Sequence, residues 1–585
     1  MLQNKRLNNN IFSTQIPFFL RMGIFGCLSV IVSTLIAQPT PKDGAKLNYN
    51  HVLFQWESII NADLYVLEVK DVATNQFVNK RVPLSSAIVK YGIAWGHAYE
   101  WKVTAFSHNK KVYTSPPRHF SVLTSPKVDS SRYQHRIAKN DLATDSLYII
   151  MDNPGIIIDT KGNPVWFYPD TNVQRTFNLQ LLPNGNIAAL RAKGNKSGNE
   201  NLAFEEISFT GKKIWKGPNM GEVSGDTTEF YHHDYQKLAN GHYLIMGNKF
   251  VPRKLNNSPT EVFIRYGTVI EYNQKGDIIW SWSSDTYLKD EDIFAEGIKD
   301  NPSHLNSIYL DEENDQLYIS FRYIDRIIRL DRGTNTVVQT FGTKLPSGEA
   351  QLANDLFHRQ HSPKVFDNAK FMSMYDNGTG IGKDSLSSLL ILDMPKGNIT
   401  CKVRYRYPMW FGKRGQSWSS SKGDADKMWD NLYLVDMGSI PRTAIVEAFG
   451  RGLLWQCDHV SREHLNTPFM PMDENYRADW VRTLYPIRWD MTIGKGYREK
   501  KQRGLRKYPL VVYNHGTGGK YVIEIRDKVG ALAFTADTDF PGPETSQFIT
   551  VMLPKKAKKG QPIGEIIVKN RITDIEEYRV NVVRK

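Results

Sequence analysis

The sequence predicts an all-β protein organised around a six-bladed β-propeller. Three observations predict it. A hairpin unit recurs six times through the middle of the chain. Short apolar runs punctuated by glycine, proline and asparagine fill most of the remainder. Apolar residues at helical spacing are almost absent. One unit is an apolar strand, a turn containing glycine, and a second apolar strand that often carries tryptophan. The copies are Ile156–Trp166 around Gly162, Glu206–Trp215 around Gly211 and Val269–Trp280 around Gly276, then Ile328–Gly333, Leu390–Gly397 and Ile445–Trp455 around Gly450. Their turn glycines lie between about 49 and 65 residues apart, a spacing that suits a four-stranded blade with loop insertions. The other half of the blade recurs between them, at Leu179–Leu190, His233–Met246, Leu305–Phe321, Ser362–Tyr375 and Met428–Val435.

The elements fall in order along the chain. Residues 1–37 read as a signal peptide: Lys5 and Arg6 precede an apolar stretch, Met22–Ala37, with small residues at Ser33, Thr34 and Ala37 ahead of Gln38. The stretch is short for a membrane span. The protein is therefore expected to be periplasmic or secreted, with no integral membrane segment after cleavage. Residues 42–125 read as a small β-sandwich with strands at Val52–Trp56, Leu64–Val69 and Tyr99–Ala105. Its Phe54-Gln-Trp56, Ala62-Asp-Leu-Tyr65 and Tyr99-Glu-Trp-Lys-Val103 elements resemble a fibronectin type III-like module, which makes Trp56 and Trp101 core residues. The propeller spans 140–490. The tail, 495–585, carries strands at Leu510–Tyr513, Tyr521–Ile525, Phe548–Leu553, Glu565–Val568 and Tyr578–Val583 and is expected to form a further small β-rich domain.

The formal charge is +14; removing Lys5, Arg6 and Arg21 with the leader, which holds no acid, leaves +11. Such an excess suits anionic substrates. The basic residues are spread out apart from short runs at Arg498–Lys507 and Lys555–Lys559, so no nucleic-acid partner is expected. Outside the leader's Cys27 there are two cysteines, Cys401 and Cys457. In an oxidising compartment they could pair or stay as buried thiols, and sequence alone leaves that open. No cysteine-based metal motif is visible. A homodimer is admitted as an assembly.

Three histidines stand at matching places in successive repeats. His233 lies in Tyr231-His-His-Asp234, His304 in Ser303-His-Leu-Asn306 and His361 in Gln360-His-Ser362. Their separations, 71 and 57 residues, match the blade repeat, and equivalent positions in neighbouring blades converge on one axis. Asn306, two residues beyond His304, faces the same side of its strand. Arg322 ends the strand paired with it. Beside imidazoles, a planar guanidinium reads as a clamp for a tetrahedral anion.

Taken together, His233-Asp234, the His304-Leu-Asn306 pair with Arg322 after it, Gln360-His361 and Tyr375-Asp-Asn-Gly378 resemble the bacterial arylsulfotransferase family, over residues 140 to 490. That family is similar in layout, a periplasmic six-bladed propeller behind an N-terminal β-sandwich. The resemblance implies that His361 is the nucleophile and that His233, His304, Asn306 and Arg322 hold the sulfuryl oxygens. It implies a phenolic sulfate donor and a phenolic acceptor, with no phosphoadenosine donor, no cofactor and no metal. The N-terminal module and the C-terminal extension depart from the family's layout. The chemistry is sound in itself. A neutral imidazole can attack sulfur and release a phenolate, forming a sulfohistidine that a second phenol resolves in ping-pong fashion. Two other readings compete. Three converging histidines could hold zinc, although Arg322 is poorly placed beside a dication. A non-enzymatic propeller could bind glycan or protein. His515-Gly-Thr-Gly-Gly519 lacks a nucleophile elbow and reads as a turn, and Asp159 and Asp331 read as turn caps.

Overall fold

The computed structural model describes residues 39–583 apart from 145, 171–174, 193–199, 219–229, 255–260, 295–300, 349–354, 380–385, 396–399, 462–473, 495–504, 517–518, 528–531, 541–544, 555–561 and 572–575. The expected leader, Gly397, the basic run Lys555–Lys559 and most of Arg498–Lys507 lie outside the described residues. The protein is all-β: among the described residues there are forty strands, one five-residue α-helix and three single 3-10 turns. No described helix is long and apolar enough to cross a membrane.

The recurring hairpins form the third and fourth strands of successive four-stranded antiparallel units. One unit runs Thr176–Leu181, Ile187–Ala192, Glu200–Ile207 and Lys213–Lys216; the next runs Phe230–Lys237, Tyr243–Lys254, Glu261–Tyr272 and Ile278–Ser283. The pattern repeats at Leu305–Gly342, His361–Pro408 and Asp424–Ser461. In the remaining unit, Tyr148–Met151, Ile156–Asp159 and Pro164–Phe167 take their first strand from far along the chain, because Ala478–Val481 pairs with Tyr148–Met151. First strands of neighbouring units lie side by side, and Ala478–Val481 packs against both Thr176–Leu181 and Leu432–Asp436, so the row of units closes on itself.

The repeat's tryptophan has a structural reason. Its indole N–H reaches the hairpin of the following unit: Trp166 donates to the Phe209 carbonyl at 2.9 Å, Trp215 to that of Gln274 at 3.0 Å, and Trp280 to the Asn335 side chain at 2.9 Å. Trp455 donates to the Thr160 carbonyl at 2.9 Å, joining the last unit to the first. A large apolar body with one donor suits a position between two packed sheets whose loop carbonyl needs a partner. The first three turns use glycine in the left-handed region, with φ of +84°, +93° and +89° at Gly162, Gly211 and Gly276. Asp159 accepts from the Lys161 and Asn163 amides, and Asp331 from that of Thr334, so both cap turns.

At the N-terminus a sheet ordered Ala45–Leu47, Arg118–Val122, Ala98–Ser107, Leu64–Asp71, Phe77–Val82 faces the two-stranded sheet Val52–Gln55 and Ser86–Val89. Alternation along Leu64–Asp71 buries Tyr65, Leu67 and Val69 against Phe54, Tyr99 and Trp101. The same core runs on into Tyr148, Ile150 and Trp166. Tyr133–Asn140, ahead of residue 140, pairs with Gly452–Ser461 as an added outer strand. Trp489–Ile493 pairs with Leu505–Asn514 in a tail sheet. That tail docks on the N-terminal sandwich: Gln55 donates to the Trp489 carbonyl at 3.2 Å, and the buried Asp490 accepts from Ser85 and Ser86. Cys401 and Cys457 are both free and buried, in separate core clusters.

Candidate active site

Four first strands share one irregularity. Their pairing with the second strand slips between Phe177 and Gln180, Tyr231 and Tyr235, Leu305 and Ser307, and His361 and Lys364. Beside each slip a non-glycine residue takes a left-handed φ: Asn178 at +49°, His233 at +59°, His304 at +49° and Ser362 at +51°. A bulge re-aims the side chains around it, and such backbone costs of order 1–3 kcal/mol per residue. The same cost at four neighbouring units marks the place where side chains are turned to a common purpose.

His361 is buried, and its two ring nitrogens are in different settings. Nδ1 lies 2.6 Å from the Asn377 Oδ1 and 3.0 Å from the Arg359 carbonyl, both acceptors, so Nδ1 carries the proton. Nε2 then holds the lone pair, and it accepts a long 3.2 Å hydrogen bond from the Lys422 amide. Burial pushes the His361 pKa well below the ordinary 6.5; the Arg322 cation adds to the shift, and the Asn377 contact opposes it. His361 is therefore neutral at pH 7. Asn377 is held in turn by donating to the Ser419 and Lys422 carbonyls, each at 3.0 Å. On the other side, the Gln360 amide donates to Ser320 and to the Phe321 and Arg326 carbonyls, anchoring the strand on the preceding unit.

The rings of His233 and His304 meet edge to face with centroids 5.1 Å apart. The Asn301 amide donates to His304 Nδ1 at 3.0 Å, which leaves the proton of the neutral ring on Nε2. His232 donates from Nε2 to the Gly247 carbonyl at 3.0 Å, so its Nδ1 accepts from Nδ1–H of His233 and the His233 lone pair lies on Nε2. Burial lowers the pKa of both, to about 3 for His304. Arg322 donates to the Ser420 carbonyl at 2.7 Å, its Nε has no partner among the described residues, and its guanidinium lies 5.0 Å from the Tyr323 ring. Asn306 is fully buried. One of its amide hydrogens goes to the Gln360 carbonyl at 2.7 Å, directly before His361, and its Oδ1 has no partner among the described residues. His358 stands apart, paired with Asp325 at 3.0 Å and partly exposed.

Sequence reasoning missed Tyr476 and Arg477. The Tyr476 ring joins the two halves of the cluster, with centroids 5.1 Å from His233 and 6.4 Å from His361. Its hydroxyl donates to the Asn306 carbonyl at 3.1 Å. Arg477 makes a two-pronged, buried ion pair with Asp234 at 2.7 and 2.9 Å, and the same carboxylate accepts from Asn178 and the Ile308 amide. Both precede Ala478–Val481, the strand that completes the first unit, and the repeat phase shared with His233 would have flagged them had that strand been seen as a first strand.

The donor nitrogens of His233, His304 and His361 do not form a group close enough to hold a metal ion. Among the described residues the one group of histidine, cysteine or carboxylate donors that does is His135, Cys457 and His459, on the outer strands of the last unit.

A family model described as arylsulfotransferase (ASST) matches residues 134–441. No curated protein matches the chain. Among solved structures, the β-propeller domain of Cps50 (Swd1) from Myceliophteria thermophila aligns at 11% identity and a TM-score of 0.27, over 64% of this chain and 95% of its own. Apo AztD from Citrobacter koseri aligns at 10% identity and 0.27, over 71% and 98%. Hydrazine synthase from Kuenenia stuttgartiensis aligns at 11% and 0.24, over 60% and 95%. At these TM-scores the likenesses carry no argument about this chain.

Proposed function

Because the chain belongs to the arylsulfotransferase family, whose model spans residues 134–441, we propose that it transfers a sulfuryl group from a phenolic sulfate ester to a phenolic acceptor through a covalent sulfohistidine at His361. The family carries aryl sulfotransferase activity and implies aryl sulfate and phenol substrates; the route through His361 is our reading. We read the six four-stranded units as the blades of a propeller, the N-terminal sandwich as fibronectin type III-like, and the protein as periplasmic or secreted.

The observation that carries the mechanism is the fixed tautomer of His361. With Nδ1–H held by Asn377 and Arg359, the Nε2 lone pair is the nucleophile. It attacks sulfur, the S–O(aryl) bond breaks, and the electron pair leaves with the phenolate. The Lys422 amide, which touches Nε2 in the resting site, is then free to donate to a sulfuryl oxygen. Nε2–H of His304, the Arg322 guanidinium and the remaining amide hydrogen of Asn306 supply further donors to the equatorial oxygens. His233 presents a lone pair, so it takes the proton of the acceptor phenol. The anion beside it offsets the burial that otherwise weakens it as a base. The phenol oxygen then attacks sulfur, and the N–S electron pair returns to Nε2.

The test is mass spectrometry of enzyme mixed with 4-nitrophenyl sulfate alone and quenched in alkali, because sulfohistidine is acid-labile. A sulfuryl adduct is expected on the peptide containing Phe357–Ser362 and is expected to vanish in His361→Asn, together with release of the first phenol. An adduct on the His233 or His304 peptide, with full turnover in His361→Asn, would assign the nucleophile elsewhere.

A further inference from the structure

We propose that His135, Cys457 and His459 form a zinc site that clips the outer strand Tyr133–Asn140 onto the last four-stranded unit. The inference is independent of sulfuryl transfer and rests on donor geometry. Cys457 and His459 are two residues apart on one strand, so both side chains emerge on one face, and His135 is the direct cross-strand partner of His459. Nδ1 of His135 lies 3.4 Å from Nδ1 of His459, which lies 3.6 Å from the Cys457 sulfur, and all three donor atoms fall within 4.8 Å of one another. Zinc bonds of 2.0–2.1 Å to nitrogen and 2.3 Å to sulfur at a tetrahedral angle require edges of about 3.3 Å between nitrogens and about 3.6 Å between nitrogen and sulfur. These two edges are therefore those of a tetrahedron before any ion enters.

The hydrogen bonds around the trio favour the same reading. Nε2–H of His459 donates to the Thr443 hydroxyl at 2.9 Å, and that hydroxyl donates onward to Asp436 at 3.0 Å. The relay fixes the His459 proton on Nε2 and turns the Nδ1 lone pair toward the other two donors, the outer-shell arrangement that metal-ligating histidines use. Nε2 of His135 is shut off from water and has no partner among the described residues, so Nδ1 is the nitrogen of that ring that faces the other two donors. Binding a dication would displace the Cys457 proton to solvent and leave a thiolate. Arg442 beside the site is matched by Asp458 at 2.6 Å.

On the far side of this strand pair, His135 also lines a cleft of about 580 Å³ together with Tyr133, Lys161 and Gly162. Gly162 is required there, since a Cβ would sit 2.2 Å from the His135 carbonyl. One thiolate and two imidazoles suit zinc among the available divalent ions, with cobalt as its spectroscopic substitute.

The experiment uses the full chain, stripped with a chelator and titrated with zinc and with cobalt. About one zinc per chain is expected, with a thiolate-to-cobalt charge-transfer band that disappears in Cys457→Ser. His135→Ala, on the outer strand, should abolish the tight site and the zinc-dependent rise in melting temperature while leaving the initial rate of sulfuryl transfer unchanged. Thr443→Val, which removes only the outer partner, should weaken binding about 10–100-fold. A stripped wild-type chain that takes up neither ion, or uptake unaffected by Cys457→Ser and His135→Ala, would overturn the proposal; the wild-type titration decides it even if a variant fails to fold.

Discussion

Asn377→Ala tests the central idea, that the tautomer of His361 is set by its neighbours. The substitution removes the 2.6 Å acceptor for Nδ1–H but leaves the Arg359 carbonyl at 3.0 Å as a second acceptor. Losing a tautomer altogether can lower kcat by about 10⁴. Here the tautomer survives on one acceptor, so the loss is that of one hydrogen bond to a ring that becomes positive as Nε2 bonds sulfur, about 1.5–3 kcal/mol. At 1.36 kcal/mol per decade, that predicts a fall in kcat of roughly 10–100-fold. The Ser419 and Lys422 carbonyls also lose a donor, so a lower melting temperature should accompany it. The assay is the initial rate of nitrophenol release from 4-nitrophenyl sulfate with saturating phenol, on protein whose folding is checked by circular dichroism. A folded Asn377→Ala enzyme within twofold of wild type would refute the reasoning. So would a 10⁴-fold loss, because Arg359 would then contribute nothing.

Arg322→Ala should slow transfer by about 10²–10³, as for loss of one oxyanion donor, while the sulfuryl adduct stays detectable by mass spectrometry. Asp234→Asn leaves Arg477 buried without its counter-charge and should destabilise the protein by about 3–5 kcal/mol in urea unfolding; a change under 1 kcal/mol would show that the pair is dispensable. Acid should destabilise the fold from just below pH 6.5. His232 and His304 ionise near 6.5 when unfolded but only at about 3 when folded, so the stability they contribute is complete above 6.5 and is lost as pH falls toward 3. At pH 5 that amounts to roughly 2 kcal/mol for each, measured as a shift in urea midpoint between pH 7 and 5.

Much of the architecture is local and could be read from residue order alone. Alternating burial along Leu64–Asp71, glycine at the turns and a tryptophan closing the hairpins are properties of single strands and turns, visible wherever the side-chain period is two. The repeat phase also singled out His233, His304 and His361, because neighbouring copies of one unit present equivalent residues to the same region. Tertiary structure alone decided the rest. The first strand of the first unit comes from Ala478–Val481, some 330 residues beyond its partner, and no local pattern links the two. Tyr476 and Arg477 enter the site on the approach to that strand. The same distance separates His135 from Cys457 and His459, so a cysteine with no visible ligand spacing acquires two imidazoles only when the outer strand is laid down. The bulges at Asn178, His233, His304 and Ser362 were equally hidden: left-handed backbone at a non-glycine residue is unfavourable locally, and it persists only because the closed ring of packed strands holds it there.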